Sequence, residues 1–238
     1  MKRQKTLFGI LIFLIILSCS SEDNKLENNS TESYLKRATS YGITSDAKLF
    51  LYNSNNKISR IESKFSYTVI NYFNNFISTI TSNGRRESIE YNVSINTNMI
   101  SLVSTNHIIE IDYNNGYIDA YRSISQNPTQ LLAEYTFTRN SDNNIISLVS
   151  STSTSNTIYN YSNYDDKNCT LTYNSFNVDL FSLIFNLKPS KNNPLTAEYI
   201  YNNGNPSIIN YTLLYDDNDN VTQLNQTAIE IKYEYIEL

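Results

Sequence analysis

The chain has 238 residues, 40% of them apolar, and its 18 Lys and Arg against 23 Asp and Glu give a formal net charge of −5. With no run of cations beyond Arg85 and Arg86, this mild acidity excludes nucleic-acid binding by phosphate neutralisation. Twenty Tyr, ten Phe, only five Gly and no Trp, with abundant Ile, Thr, Ser and Asn, favour pleated strands joined by polar turns over extended helix.

Residues 1–18 read as an export leader. Lys2, Arg3 and Lys5 precede an apolar run from Leu7 to Leu17, too short to cross a bilayer of about 30 Å as a permanent helix. Ile16, Leu17, Ser18 and Cys19 resemble a bacterial lipobox, and that resemblance implies cleavage before Cys19, acylation of its thiol and amine, and a membrane anchor made of lipid. Loss of the leader leaves 15 cations against the 23 acids, a net charge of about −8. Cys169 is the only other cysteine, so lipidation of Cys19 leaves no intramolecular disulfide and stability rests on packing. Residues 19–33, with Glu22, Asp23, Glu27 and several Asn, have little to bury and read as a flexible tether. Ser20, Ser21, Glu22, Asp23 and Asn24 also resemble the serine-and-acid tract behind the lipidated cysteine of Bacteroidetes lipoproteins, which there favours display on the outer surface. Residues 34–238 suffice for one undivided β domain.

From Lys48 the chain repeats one unit: an aromatic and aliphatic segment, a turn of Asn, Asp or Gly, then an Ile-rich segment ending in Ser or Thr. Phe50 and Tyr52 lead through Asn53, Asn55 and Asn56 to Ile58 and Ile61; Ile70 and Tyr72 lead through Asn74 and Asn75 to Ile77 and Ile80. Ile89 and Tyr91 lead to Ile100 and Leu102, and Ile109, Ile111 and Tyr113 lead through Asn115 and Gly116 to Ile118 and Tyr121. Looser copies follow at Tyr135 to Leu148, Tyr199 to Tyr211 and Tyr215 to Leu224, and Ile229 to Tyr235 supplies a last strand. A spacing of about 20 residues suits two short strands and two turns. Asn114-Asn115-Gly116 and Asn202-Asn203-Gly204 are tight-turn candidates, because Asn and Gly accept positive φ.

Alternation at period two buries one face and wets the other. The expected fold is all-β: an antiparallel meander of repeated hairpins, closed or strongly curved into a soluble barrel. The polar positions of these strands are mainly Ser, Thr, Asn, Glu and Lys, without the apolar band and aromatic girdles of a membrane-spanning barrel. Between Asp165 and Leu195 the rhythm lapses. Phe176, Val178, Leu180, Phe181, Leu183, Ile184 and Phe185 predict a short helix or apolar plug near 175–186, closed by Pro189 and Pro194.

The lipobox, the Tyr-turn-Ile units, Tyr164-Asp165-Asp166-Lys167-Asn168, Asn192-Asn193-Pro194-Leu195, Tyr215-Asp216-Asp217 and Tyr233-Glu234-Tyr235 together resemble a family of Bacteroidetes lipoproteins of unknown function with a porin-like fold. The likeness covers most of the mature chain and implies a barrel and surface display, without supplying catalytic residues. More distantly the units are similar to tyrosine-aspartate repeat proteins, from which they depart in their Asn-rich turns and scarce glycine.

Chemistry-bearing motifs are few. His107, the single histidine, stands at the start of a predicted strand and reads as a surface residue; no Gly-x-Ser-x-Gly turn accompanies it. His107 and Cys169 are too few for a dedicated zinc site, and Gly-rich phosphate loops are absent. Asp216, Asp217 and Asp219, with Asn220, gather hard oxygens in one turn and are weak calcium candidates, as are Asp165 and Asp166, off the EF-hand spacing. No cofactor and no catalytic residue is implied. The expectation is a non-enzymatic, lipid-anchored binding or structural protein of the bacterial envelope, an outer-membrane lipoprotein facing the periplasm or, in preference, the cell exterior, with a glycan or protein partner. The alternative is a secreted carbohydrate-active or calcium-dependent hydrolase with its site in the barrel mouth.

Overall fold

The period-two pattern becomes sixteen antiparallel strands in the computed structural model, which describes residues 33–41, 46–84, 87–169, 183–226 and 229–238. Cys19, the leader, Arg85, Arg86, and Phe176 to Phe181 of the expected plug lie outside these residues. The first eight strands are β1 (Ser33–Tyr41), β2 (Asp46–Tyr52), β3 (Ile58–Glu62), β4 (Tyr67–Phe73), β5 (Phe76–Asn83), β6 (Ser88–Asn96), β7 (Met99–Val103) and β8 (His107–Asn114). The second eight are β9 (Tyr117–Gln126), β10 (Thr129–Arg139), β11 (Ile145–Thr152), β12 (Asn156–Asn168), β13 (Asn192–Tyr201), β14 (Ser207–Tyr215), β15 (Val221–Gln226) and β16 (Ile229–Glu237). Each strand pairs with its neighbours in the chain, and β1 pairs with β16, as in Ala38 against Tyr233, to close the barrel. Closure removes the two unpaired edges that an open meander would expose.

Sequence alternation sets what faces inward. Phe50, Ile61, Ile70, Ile80, Leu102, Ile111, Tyr121, Phe137, Leu148, Ala197, Leu224 and Tyr233 form one continuous core, with Leu102 and Ile111 at 0% exposure. A round barrel of sixteen strands encloses a water channel. Here the inward side chains of the described strands are instead largely buried.

The outer wall carries ion pairs among exposed apolar side chains such as Leu51, Val103, Ile146 and Ile208. Arg122 donates to Glu110 (3.1 Å) and Asp112 (2.7 Å) across β8 and β9, Arg60 pairs with Glu62, and Lys232 with Glu230. Glu90, Glu134, Glu198 and Glu234 also stand on strand positions that alternate with inward residues. In a lipid-embedded wall an Arg or Lys at the bilayer midplane costs about 2–4 kcal/mol.

The barrel has two chemically different ends. At one end lie the start of β1, the end of β16 and the Asn turns. Asn53, Asn140 and Asp216 each accept, through one side-chain oxygen, the amides two and four residues ahead, while Asn56, Asn143 and Asp219 take positive φ. The tighter turns at Asn74-Asn75 and Asn115-Gly116 are left-handed at both residues. Five tyrosines brace this end by donating to carbonyls of preceding strands: Tyr52 to Leu35, Tyr72 to Ile58, Tyr113 to Asn96, Tyr164 to Ile145 and Tyr235 to Val221.

A strap between β12 and β13 covers the same end. Its described part has a helical turn at 183–185, buries Ile184, Leu187 and Pro189, and adds a parallel bridge from Lys188 to Tyr117. Arg139, its side chain 9% exposed, donates to the carbonyls of Pro189 and Ile118 and pairs with Asp119 at 2.7 Å. The described part of the expected plug therefore does close an end. The repeat lapses over less chain than the sequence suggested, since β12 continues to Asn168 and β13 resumes at Asn192.

Candidate functional site

Toward the far end, opposite the strap, the inward rows change from aliphatic to hydroxyl and aromatic. Ser82, Ser125, Ser150 and Thr157 occupy inward positions there and are only partly buried. His107 is the first residue of β8 and alternates with buried Ile109 and Ile111, so its ring points into the barrel. That corrects the sequence reading of a surface histidine: two strand positions from an inward Ile is again inward. Its backbone is pinned by Ser104, whose hydroxyl accepts from the His107 amide and donates to the His107 carbonyl.

Both ring nitrogens of His107 are engaged, Nδ1 with the Tyr91 hydroxyl at 2.9 Å and Nε2 with the Ser123 hydroxyl at 2.7 Å. Tyr91 also meets the imidazole edge-on, centroids 5.9 Å apart. Burial lowers the His107 pKa from its ordinary value, keeping the ring neutral at pH 7, one nitrogen a donor and the other an acceptor. Two hydroxyls, each able to donate or accept, match either tautomer.

Next to this cluster is a band of tyrosine faces. Tyr121 and Tyr135 meet edge-on at 5.6 Å, and Tyr159 lies 5.1 Å from Tyr199 and stacks on Tyr161 at 6.3 Å. Burial, with Tyr199 adding, pushes Tyr159 up to about 12, and burial with Tyr135 and Tyr91 raises Tyr121 as well. The Tyr159 and Tyr121 phenols stay protonated in any physiological buffer. A wall of neutral aromatic faces and hydroxyl donors suits a neutral, hydroxyl-rich ligand.

Ser123 and His107 are two members of a nucleophile relay, but a phenol replaces the carboxylate, and Ser123 sits mid-strand, paired on both sides to Ile109 and Ala133. The acids of the strand centres, such as Glu90, Glu110, Glu134 and Glu198, stand on the outer wall, while Glu87 in the β5–β6 turn lies at the far end, close enough to Tyr91 to add to the effect of burial in raising its pKa.

The acidic turns belong to the strapped end. Asp216 spends its carboxylate on the amides of its own turn; burial alone would raise its pKa, and bonds from Asn220 and Asn218 outweigh that and hold it low. Asp219 pairs with Lys167 at 2.7 Å, and Asp217 is exposed. Asp165 accepts from the Asn193 backbone and side-chain amides and from Tyr215, joining β12, β13 and β14. No group of three His, Cys, Asp or Glu placed to hold a metal occurs among the described residues.

Neither Tyr91 nor Ser123 stood out in the sequence. Counting inward parity from Ile109 and Ile80 would have found them. The sequence matches no family model and no curated protein. Among solved structures, the chain is similar to a porin-like protein from Bacteroides vulgatus, 14% identical, with TM-score 0.59 over 86% of this chain and 100% of that one. A porin-like protein from Bacteroides uniformis aligns at 8% identity and TM-score 0.43, over 85% of this chain and 98% of the other. At such identity the first likeness establishes a shared fold, and the porin-like barrel expected from the resemblance is what the chain adopts.

Proposed function

We propose that this chain is a lipid-anchored, non-enzymatic protein of the bacterial envelope that binds a neutral glycan at the far end of its barrel. The observation that carries the reading is the inward Tyr91–His107–Ser123 cluster, at the end opposite the one where Ser33 starts the barrel, with the tyrosine band that runs from Tyr121 and Tyr135 to Tyr159 and Tyr199. Sugars present hydroxyls to such donors and acceptors and C–H faces to tyrosine rings. The lipobox at Cys19 and the serine-and-acid tract behind it support an anchor in the outer membrane and surface display. Protein or scaffold partners are the competing occupants.

The test is thermal melting of the mature protein against a panel of neutral oligosaccharides. Binding to the native state at 100 times Kd raises stability by about 2.7 kcal/mol. The expected result is a shift for at least one glycan that disappears in His107→Ala and Tyr199→Ala. A panel that leaves every melt unchanged, or a shift that survives both substitutions, defeats the glycan site. Incorporation of a fatty-acid probe in wild type and its loss in Cys19→Ala tests the anchor separately.

A further inference from the structure

The most exposed large apolar side chains of the barrel stand together. Phe73 and Phe76 are 71% and 70% exposed, pair directly across the β4–β5 hairpin, and flank its Asn74-Asn75 turn. Ile95 on neighbouring β6, near the same end, is 44% exposed. The hairpin tip is held in place: Lys57 donates to the Asn75 carbonyl at 2.7 Å, and its ammonium lies 5.5 Å from the Tyr72 ring. Two phenylalanines at a braced tip, with a cation beside them, have the composition of a membrane-interface contact, apolar at its end and cationic behind. Tyr52, Tyr72 and the strap already serve the packing of this end, and neither ring of the tip takes part in the core.

What decides the occupant is where the chain enters. β1 begins at Ser33 and runs away from the strapped end, as β4 runs toward it, so the residues preceding Ser33 join the barrel at the end that carries Phe73 and Phe76. Only residues 20–32 separate Cys19 from Ser33, and a polar linker of that length reaches roughly 20 Å. A lipid on Cys19 keeps this end near the bilayer, and the glycan end away from it.

We propose that Phe73 and Phe76 insert into the headgroup and acyl boundary of the membrane that holds the anchor, seating the barrel with its far end outward. This rests on the anchor reading of Cys19. Because the chain contains no Trp, Phe73→Trp supplies a single indole reporter in the full lipidated protein. Reconstituted in vesicles of phosphatidylethanolamine and phosphatidylglycerol, Trp fluorescence at this position should shift to the blue and be quenched by brominated acyl chains. Phe65→Trp, in the β3–β4 turn at the far end and 51% exposed in the native chain, should keep water-like emission.

Water-like emission at position 73, or equal quenching at both positions, overturns the proposal. A blue shift that brominated lipid does not quench overturns it too, by assigning the tip to a second copy or a protein partner. Phe73→Ser with Phe76→Ser in the Cys19→Ala background should weaken vesicle co-sedimentation roughly tenfold, while unchanged co-sedimentation counts against the tip. Fatty-acid labelling separates the two claims. A labelled chain with an unquenched reporter defeats the tip alone, and an unlabelled chain with a quenched one defeats the anchor alone.

Discussion

Arg139 holds the strap to the wall, and its replacement by Met should uncover the closed end while the ladder stays intact. The guanidinium donates through Nε to Pro189 at 3.1 Å, through Nη2 to the Ile118 carbonyl and through Nη1 to Asp119. Asp119 is half-exposed, so that ion pair is screened and contributes about 0.5–1 kcal/mol. The larger part comes from two carbonyls on buried residues, each of which loses a charged donor at a cost of about 1–3 kcal/mol. Together Arg139→Met should cost about 3–5 kcal/mol in urea unfolding, which for a domain this size lowers Tm by roughly 10 °C. Arg139→Lys keeps the charge but not the three-way fork, and should recover less than half of that. Hydrogen exchange locates the loss: the amides of Ile118 and Lys188, which bond to Lys188 and Gly116, should lose protection before those of Ile111 and Leu102. A cost below about 1 kcal/mol, or uniform loss of protection along the barrel, would refute the view of Arg139 as the strap's fastener.

Asp216→Asn should change stability by less than about 0.5 kcal/mol, because Asn53 and Asn140 make the same two amide bonds, whereas Asp216→Ala should cost about 1–2 kcal/mol in the same assay. The Asp216 carboxylate is held low by its turn, so its contribution is present above the ordinary carboxylate range and fades as pH falls through its folded value; Asp216→Asn should lack that component. Ile111→Ala, at a fully buried position, should cost about 3–4 kcal/mol, and Ile111→Val about 1 kcal/mol. The folded pKa of His107 lies below its unfolded value, so stability is full above about pH 6.5 and declines as pH falls through the folded pKa; His107→Gln should flatten that part of the profile.

The wall was legible in the sequence because a strand writes its burial in every second residue. Ile109 and Ile111, or Ile229, Ile231 and Tyr233, declare both the element and its inward face, and Asn115-Gly116 declares the turn. β1 lay before the repeat that begins at Lys48, because its buried positions, Leu35 and half-buried Ala38, are too sparse for a period, and it gains its identity from pairing with β16 and β2. The strap was legible as apolar chain without a partner. That Arg139 would fasten it depended on a contact 50 residues away in sequence, which local pattern does not encode. His107 was misread for a different reason: residue type suggested a surface position, and its parity with Ile109 pointed inward.

The contrast between the ends follows from what each inward row needs. Near Ile118 and Ile145 aliphatic side chains reach the rim among tyrosines such as Tyr113 and Tyr164, and a barrel end left bare in that way would hold apolar surface against water. Ile184, Leu187 and Pro189 remove it from water at the cost of bringing their own carbonyls along, which is why a multi-donor arginine and the Asp165–Asn193 amide bonds are found there. At the far end the inward row turns to Ser, Thr, His and Tyr before the rim, so the same wall meets solvent without an apolar cover. A cap over that row would have to satisfy its hydroxyls one by one, whereas a hydroxyl-bearing ligand brings matching donors and acceptors with it.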